Sequence, residues 1–201
     1  MVVDQIQRRG IKDKRVLKAM RTVPRHLFVD KQYRSLAYED GPMTIGYGQT
    51  ISQPFMVAYM TERLQLLAHH SVLEVGTGCG YQAAVLSMLA QQVISLERIP
   101  ELAQSARTRL PLLGFTNISI IQTNGWKGYR EESPYDRIIV TAAADKLPTA
   151  LVKQLAVGGV MIIPIGKRLF NQKLHIISKD DNGNVIEETS FSVRFVQLVK
   201  K

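Results

Sequence analysis

The chain has 201 residues, 45% hydrophobic and 21% charged, which fits a single folded domain with a substantial core and excludes a disordered chain. Its 26 Lys and Arg against 17 Asp and Glu give a formal charge of +9, but the densest basic cluster (Arg8, Arg9, Lys12, Lys14 and Arg15) has no interleaved aromatics, so nucleic acid is not the expected partner. A single cysteine excludes an internal disulfide framework, no apolar run approaches the roughly 20 residues that span a bilayer, and MVVDQIQRRG lacks the apolar stretch of a signal peptide; a cytoplasmic monomer with no membrane partner is expected.

In chain order, residues 1–53 read as helical and loop-rich. Val16, Leu17 and Met20 keep helical spacing, and Pro24 closes that segment. The stretch 38–53, YEDGPMTIGYGQTISQ, is rich in turn-prone residues and is expected as an ordered loop without secondary structure of its own, a kind of segment that is usually either functional or disordered. Pro54 then suits the first turn of a helix carrying Met56, Tyr59, Met60 and Leu64. Short apolar strands are predicted over 72–75, 93–96, 118–121, 137–140 and 160–164, with helices over 81–89, from Pro100, and around 150–155. Buried strands alternating with helices indicate a parallel α/β sheet. The last two apolar stretches, 174–179 and 185–199, flank the turn sequence DDNGN and are expected to pair as an antiparallel hairpin. The fold class is therefore α/β and Rossmann-like: a mostly parallel central sheet flanked by helices, with a C-terminal antiparallel hairpin.

The segment VLEVGTGCGY carries the chemistry. A buried strand ends at Glu74 and Val75, and Gly76, Gly78 and Gly80 make a tight turn into a helix where backbone can approach a ligand closely. Dinucleotide sites use G-x-G-x-x-G with a pyrophosphate on the helix N-terminus; here the spacing is G-x-G-x-G with an acid two residues before it. A carboxylate at Glu74 suits a cationic tail rather than a pyrophosphate. Glu97, at the end of the next strand, suits the two hydroxyls of a ribose. Asn124-Gly125, after the third strand, would face an adenine edge. Together they describe a nucleoside with a cationic amino-acid tail, which is what S-adenosylmethionine is. Taken singly, each has a plainer reading: Glu74 as a strand-end acid, Glu97 as a surface partner of Arg98, and Asn124-Gly125 as an ordinary turn. Trp126 and Tyr129 either stack on the adenine or are simply buried. The four histidines lack metal-ligand spacing, so no metal site is expected.

IGYGQTISQP (45–54), VLEVGTGCGYQAAVL, LERIPEL, DRIIVTAAA, LAVGGVMIIPIG and VRFVQLV together resemble, in order, the successive blocks of the protein-L-isoaspartate O-methyltransferase family. The resemblance implies a methyltransferase domain over 1–201, in which 1–53 is a cap that contributes the active-site loop and 54–201 is the cofactor-binding core. It implies that S-adenosylmethionine is the cofactor and isoaspartyl-containing proteins and peptides the partners. Ser52 would hold the active-site role, and Thr50, Ile51, Val193 and Arg194 would border the acceptor carboxylate. Glu74, Gly76, Thr77, Gly78 and Glu97 would line the cofactor site, with 141–143 near the reacting groups. Three positions depart from the family pattern. Thr123-Asn124-Gly125 stands for Gly-Asp-Gly and is expected to weaken adenine binding. Gln197 stands for a proline and is expected to loosen the chain near the pocket, and Cys79 stands where serine is common. A plainer role is also open to Ser52, as the cap of the helix that Pro54 starts. Two rival functions stay open: methylation of RNA or another nucleophile, and a non-catalytic module that only binds S-adenosylmethionine.

Overall fold

The structure, a computed structural model, describes residues 1–167 and 171–200. Seven strands form the central sheet: β3 (Ser71–Val75), β4 (Gln92–Glu97), β5 (Ile118–Gln122), β6 (Tyr135–Val140), β7 (Leu155–Ile165), β8 (Gln172–Lys179) and β9 (Val185–Val193). Their order is β5-β4-β3-β6-β7-β8-β9, parallel from β5 through β7 and antiparallel across β8 and β9. A separate antiparallel pair, β1 (Met43–Gly46) and β2 (Gln49–Ile51), precedes it. The helices are α1 (Lys14–Thr22), α2 (Pro54–Arg63), α3 (Tyr81–Ser87), α4 (Pro100–Leu112) and α5 (Thr149–Gln154). None is long and apolar enough to cross a membrane among the described residues.

Local chemistry sets these limits. Asp13 caps α1 by accepting from the backbone N–H of Arg15 at 2.7 Å. Pro54 and Pro100 open α2 and α4, where a missing N–H costs no helical bond. In the turn between β8 and β9, Asp180 Oδ1 accepts from the N–H groups of Asn182 and Asn184 at 2.9 and 2.8 Å. The central strands bury both faces. Val72 and Val93 point to a core shared with α3, α4 and the N-terminal residues Ile6, Val16 and Phe28, while Leu73, Val75, Ile138 and Met161 point to a second core on the other side.

Two expectations give way here. The stretch 38–53 holds a hairpin, because Gly46, Tyr47 and Gly48 take φ of +84°, +54° and +68° and reverse the chain between β1 and β2. The last strand stops at Val193 instead of running to 199. Gln172 intercepts it: its Oε1 accepts from the Phe195 N–H at 2.6 Å, and its Nε2 donates to the Phe195 carbonyl at 3.1 Å. The tail then turns back over the strand ends and pairs with Ala143.

Gln154 performs a similar service at the loop after β5. It is buried, accepts from the Tyr129 N–H at 2.8 Å and donates to the Lys127 carbonyl at 2.7 Å. Gln154→Leu leaves both backbone groups without partners and is expected to lower stability by about 1–3 kcal/mol, read from urea unfolding with secondary structure unchanged; an unaltered midpoint would show that water replaces the amide.

Candidate active site

The site begins where β3 leaves the sheet. Gly76 N–H and Thr77 N–H both donate to the Leu96 carbonyl, at 2.9 and 3.2 Å, which folds the glycine turn back onto the end of β4. Gly76 has φ of +101°, and a Cβ there would lie 2.3 Å from Thr141 Oγ1, so the position excludes side chains on two counts. Thr141 exploits that gap: its hydroxyl donates to the Gly76 carbonyl at 2.7 Å, and its N–H to the Val75 carbonyl at 2.9 Å. Gly125 makes a second close approach, since a Cβ on it would meet Val75 Cγ1 at 2.4 Å.

These contacts leave an open cleft at the carboxyl ends of β3, β4 and β6, where the strand order reverses. Gly76, Gly78, Glu97, Asn124 and Gly125 all lie on its wall. Glu97 is fixed by backbone: Oε2 accepts from the Gly78 N–H at 2.8 Å and Oε1 from the Ile99 N–H at 2.9 Å. Each oxygen keeps a lone pair for a further donor, which fits a pair of ribose hydroxyls. Asn124 Oδ1 accepts from the Trp126 N–H at 3.0 Å, so its carbonyl caps the turn while its amide N–H groups have no partner among the described residues. Such an amide can donate to a ring nitrogen. The backbone around Gly125 lies open to a flat base.

Two residues expected on the cleft stand behind it. Glu74 is wholly buried, and its Oε2 accepts from the Ser95 hydroxyl at 2.5 Å. Burial pushes its carboxyl up to about 8, the Ser95 bond opposes this, and the nearby Glu97 adds to it. The other oxygen, Oε1, has no hydrogen-bond partner. Thr77 is also buried, its hydroxyl 2.6 Å from Ser95 Oγ. The reason is the strand period: Glu74 faces inward at the level where the turn folds over β4, so it supports the turn from below. Trp126 and Tyr129 lie off the cleft wall as well; Tyr129 is held by Gln154, and Lys200 Nζ sits 4.9 Å from the Trp126 ring.

A second, larger groove adjoins the cleft. Ser52, Gln53 and Phe55 form one side, Phe191 through Val196 the other, and Arg9 and Arg194 are the charged side chains on its wall. Thr50 and Thr141 border both the cleft and the groove, so the two spaces meet there. Gln53, not Ser52, occupies the cap position of α2, and the Ser52 hydroxyl has no hydrogen-bond partner among the described residues. Ile51, expected beside the acceptor, is buried and borders a smaller cavity behind the loop, not the groove.

The tail from Val196 to Val199 closes one side of the cleft. Ala143 N–H donates to the Val196 carbonyl at 2.7 Å, and Leu198 N–H to the Ala143 carbonyl at 2.8 Å. Gln197 tightens this strap instead of loosening it, because its Nε2 donates to the Ala143 carbonyl at 2.7 Å and lies 3.3 Å from that of Gly166. A proline there has no amide to offer. Sequence reasoning missed the roles of the strap residues Leu198 and Val199, the groove residues Arg9, Phe55 and Phe191, and the buried Arg25: the first two and Phe191 lie in the stretch read as the last strand and Phe55 in the helix that Pro54 starts, and neither pattern tells which distant segments they meet.

The Glu74 environment makes a pH dependence. Between the usual value of 4.5 and about 8, the folded chain holds a proton that the unfolded chain has released. Its stabilising contribution is therefore full below the lower value and lost as pH rises through the upper one. Glu74→Gln keeps the shape without the titration, so the stability of this variant relative to the parent is expected to rise from pH 5 to pH 8 in urea unfolding of the cofactor-free protein. A difference independent of pH would mean that Glu74 does not stay protonated when folded.

Comparison with known proteins agrees with this architecture over its full length. The family model for protein-L-isoaspartate(D-aspartate) O-methyltransferase matches residues 1–201. The protein-L-isoaspartate O-methyltransferase of Picosynechococcus sp. is 50% identical over 198 residues, covering 98% of this chain and 88% of the relative. That of Geobacter metallireducens is 50% identical over 201 residues, covering 100% and 93%. Among solved structures, a protein-L-isoaspartate O-methyltransferase from Plasmodium falciparum in complex with S-adenosyl-L-homocysteine superposes with a TM-score of 0.85 at 33% identity, covering 100% of this chain and 97% of that one. With its glycine turn, its adjoining groove and half of its residues shared along the whole length, the chain belongs to the protein-L-isoaspartate(D-aspartate) O-methyltransferase family.

Proposed function

We propose that the cleft binds S-adenosylmethionine, that the groove receives a damaged segment of another protein, and that the chain methylates the free carboxylate of an L-isoaspartyl residue where the two spaces meet. The observation that carries this reading is the junction at Thr50 and Thr141, with the unpartnered Ser52 hydroxyl on the groove side. In this reading the chain works as one unit: residues 1–53 supply the acceptor loop and 54–201 the cofactor cleft. The cytoplasm is its proposed location, and a monomer its proposed form.

When bound, S-adenosylmethionine supplies an electrophilic methyl group on a positively charged sulfur. An isoaspartyl α-carboxyl, with an ordinary pKa near 3.5, is already ionised at neutral pH, so no protein base has to remove a proton. The chain's work is positioning and exclusion of water. Ser52 donates a hydrogen bond to one carboxylate oxygen and so aims the other. Arg9 and Arg194 favour an anionic acceptor in the groove, and Val193 packs beside it. Thr141, committed to Gly76, holds the floor between the two spaces. Alignment of this kind supplies roughly 7–11 kcal/mol of the barrier reduction in well-oriented systems. The product ester makes methanol the leaving group when the next backbone nitrogen attacks, giving a succinimide without further help. Hydrolysis of that ring returns part of the material to ordinary aspartate. An open groove suits such substrates, because aged segments share a damaged linkage and little sequence.

The test is transfer of label from S-adenosylmethionine to paired peptides that differ only in carrying isoaspartate or aspartate. Base-labile label on the isoaspartyl peptide alone is expected; label on neither, with cofactor bound, would turn attention to RNA, and absence of saturable cofactor binding would leave a non-catalytic module. In the same assay Ser52→Ala is expected to lower kcat about tenfold or more, the scale of one charge-assisted hydrogen bond, with cofactor Kd nearly unchanged. Glu97→Ala is expected to raise the cofactor KM at least about tenfold, since two bonds to the ribose are lost; an unaltered KM would remove Glu97 from the ribose.

A further inference from the structure

Arg25 lies in a short helical turn, Arg25–Phe28, and is completely buried. Charged side chains are rarely buried without an opposite charge, because desolvation costs several kcal/mol. Arg25 has no carboxylate partner among the described residues. Its Nε donates to the Ala37 carbonyl and its Nη2 to the Ser52 carbonyl, both at 2.7 Å. The guanidinium carbon lies 4.9 Å from the centre of the Tyr81 ring, and Nη1 has no hydrogen-bond partner. Burial accordingly draws its pKa below the usual arginine range.

An apolar side chain would fill this space at lower cost, so the arrangement calls for a use. Three separate parts of the chain meet on one planar group. Ala37 follows the helical turn Lys31–Leu36 that leads into the acceptor hairpin. Ser52 follows β2 on the acceptor loop. Tyr81 is the first residue of α3, directly after the glycine turn. A guanidinium serves two carbonyls and a ring face at once, through fixed donor directions that lysine lacks. The exposed set beside it cannot take its place: Arg9, Asp40 and Gln53 are linked by bonds of 3.1 and 2.8 Å but stand partly in solvent.

We propose that Arg25 is a positioning residue for methyl transfer: by holding the Ser52 carbonyl it fixes the peptide plane from which the Ser52 side chain projects, and by packing on Tyr81 it references that plane to the cofactor turn. Arg25 lines neither the cleft nor the groove, so it acts through Ser52 and touches no reactant. This rests on the acceptor-orienting role given to Ser52 above. Misplacement of a reacting group by about 1 Å can cost about 100-fold in rate, so loosening one tether is sufficient to matter.

The test is a double-mutant cycle on the full chain with Arg25→Lys and Ser52→Ala, with Arg25→Gln as a second variant should the lysine fail to fold. Arg25→Lys is expected to lower kcat/KM for the isoaspartyl peptide about 30-fold, with cofactor Kd changed less than about threefold. In the Ser52→Ala background the same change is expected to cost less than about threefold, because the hydroxyl it positions is gone. An equal loss in both backgrounds, or a fall in thermal stability with kcat/KM within twofold of the parent, would overturn the proposal and leave Arg25 as a packing element. A fully active Ser52→Ala enzyme would remove the serine's role, and Arg25's with it; the single variant distinguishes that result from additivity in the cycle.

Discussion

The contact on which the site depends is the one between Gly76 and Thr141. A hydroxyl reaches a backbone carbonyl at 2.7 Å across a space that any Cβ would occupy, and it does so at the one place where β3 and β6 end side by side. Because those strand ends are locked together, the turn after β3 must fold the other way, onto the Leu96 carbonyl of β4. That fold brings the Gly78 N–H to Glu97. The same crowding recurs one strand further on, where Gly125 lets the loop after β5 settle against Val75. The cleft is what remains once these three approaches are made.

Two glutamates frame this turn in sequence and end in opposite environments. Glu97 sits at the mouth with both oxygens held by backbone N–H groups, a geometry that presents it to ligand hydroxyls. Glu74 lies beneath, with one hydroxyl partner and one bare oxygen, and burial holds its proton on at neutral pH. A buried neutral acid costs far less than a buried anion. It braces the turn through the Ser95 and Thr77 hydroxyls without setting a second charge beside Glu97.

The parts of this design that follow a short-range period were legible in the sequence. Alternating apolar runs gave the parallel strands, prolines the helix starts, and DDNGN the terminal hairpin. The glycine spacing and Glu97 pointed to the cleft. What stayed hidden depends on distant parts meeting. Nothing local to Glu74 tells that the turn will cover it, since the covering residues come from β4. Gln197 read as a loss of proline rigidity because its partners, Ala143 and Gly166, lie more than thirty residues away in sequence. The hairpin at 43–51 hid behind its glycines, which announce a turn but not the two short strands it joins. Arg25 left no trace, because an arginine in a basic, helical stretch looks like surface until the Ser52 carbonyl is found above it.

The acceptor loop and the strap solve a common problem from opposite sides. In the proposed reaction a methyl group passes from a donor in the cleft to an acceptor in the groove, so the wall between them has to be thin yet immobile. Thr50 and Thr141 supply a thin wall, one from β2 and one from the end of β6. The Thr50 side is not stiff alone: β2 has three residues and its partner strand four. The stiffness is brought in from outside, by Arg25 beneath Ser52 and by Gln172 and Gln197 gripping the tail. All three are long planar side chains spending their hydrogen bonds on backbone groups. They grip irregular chain without entering the groove, which in the proposed reaction leaves its surface free for whatever sequence surrounds a damaged residue.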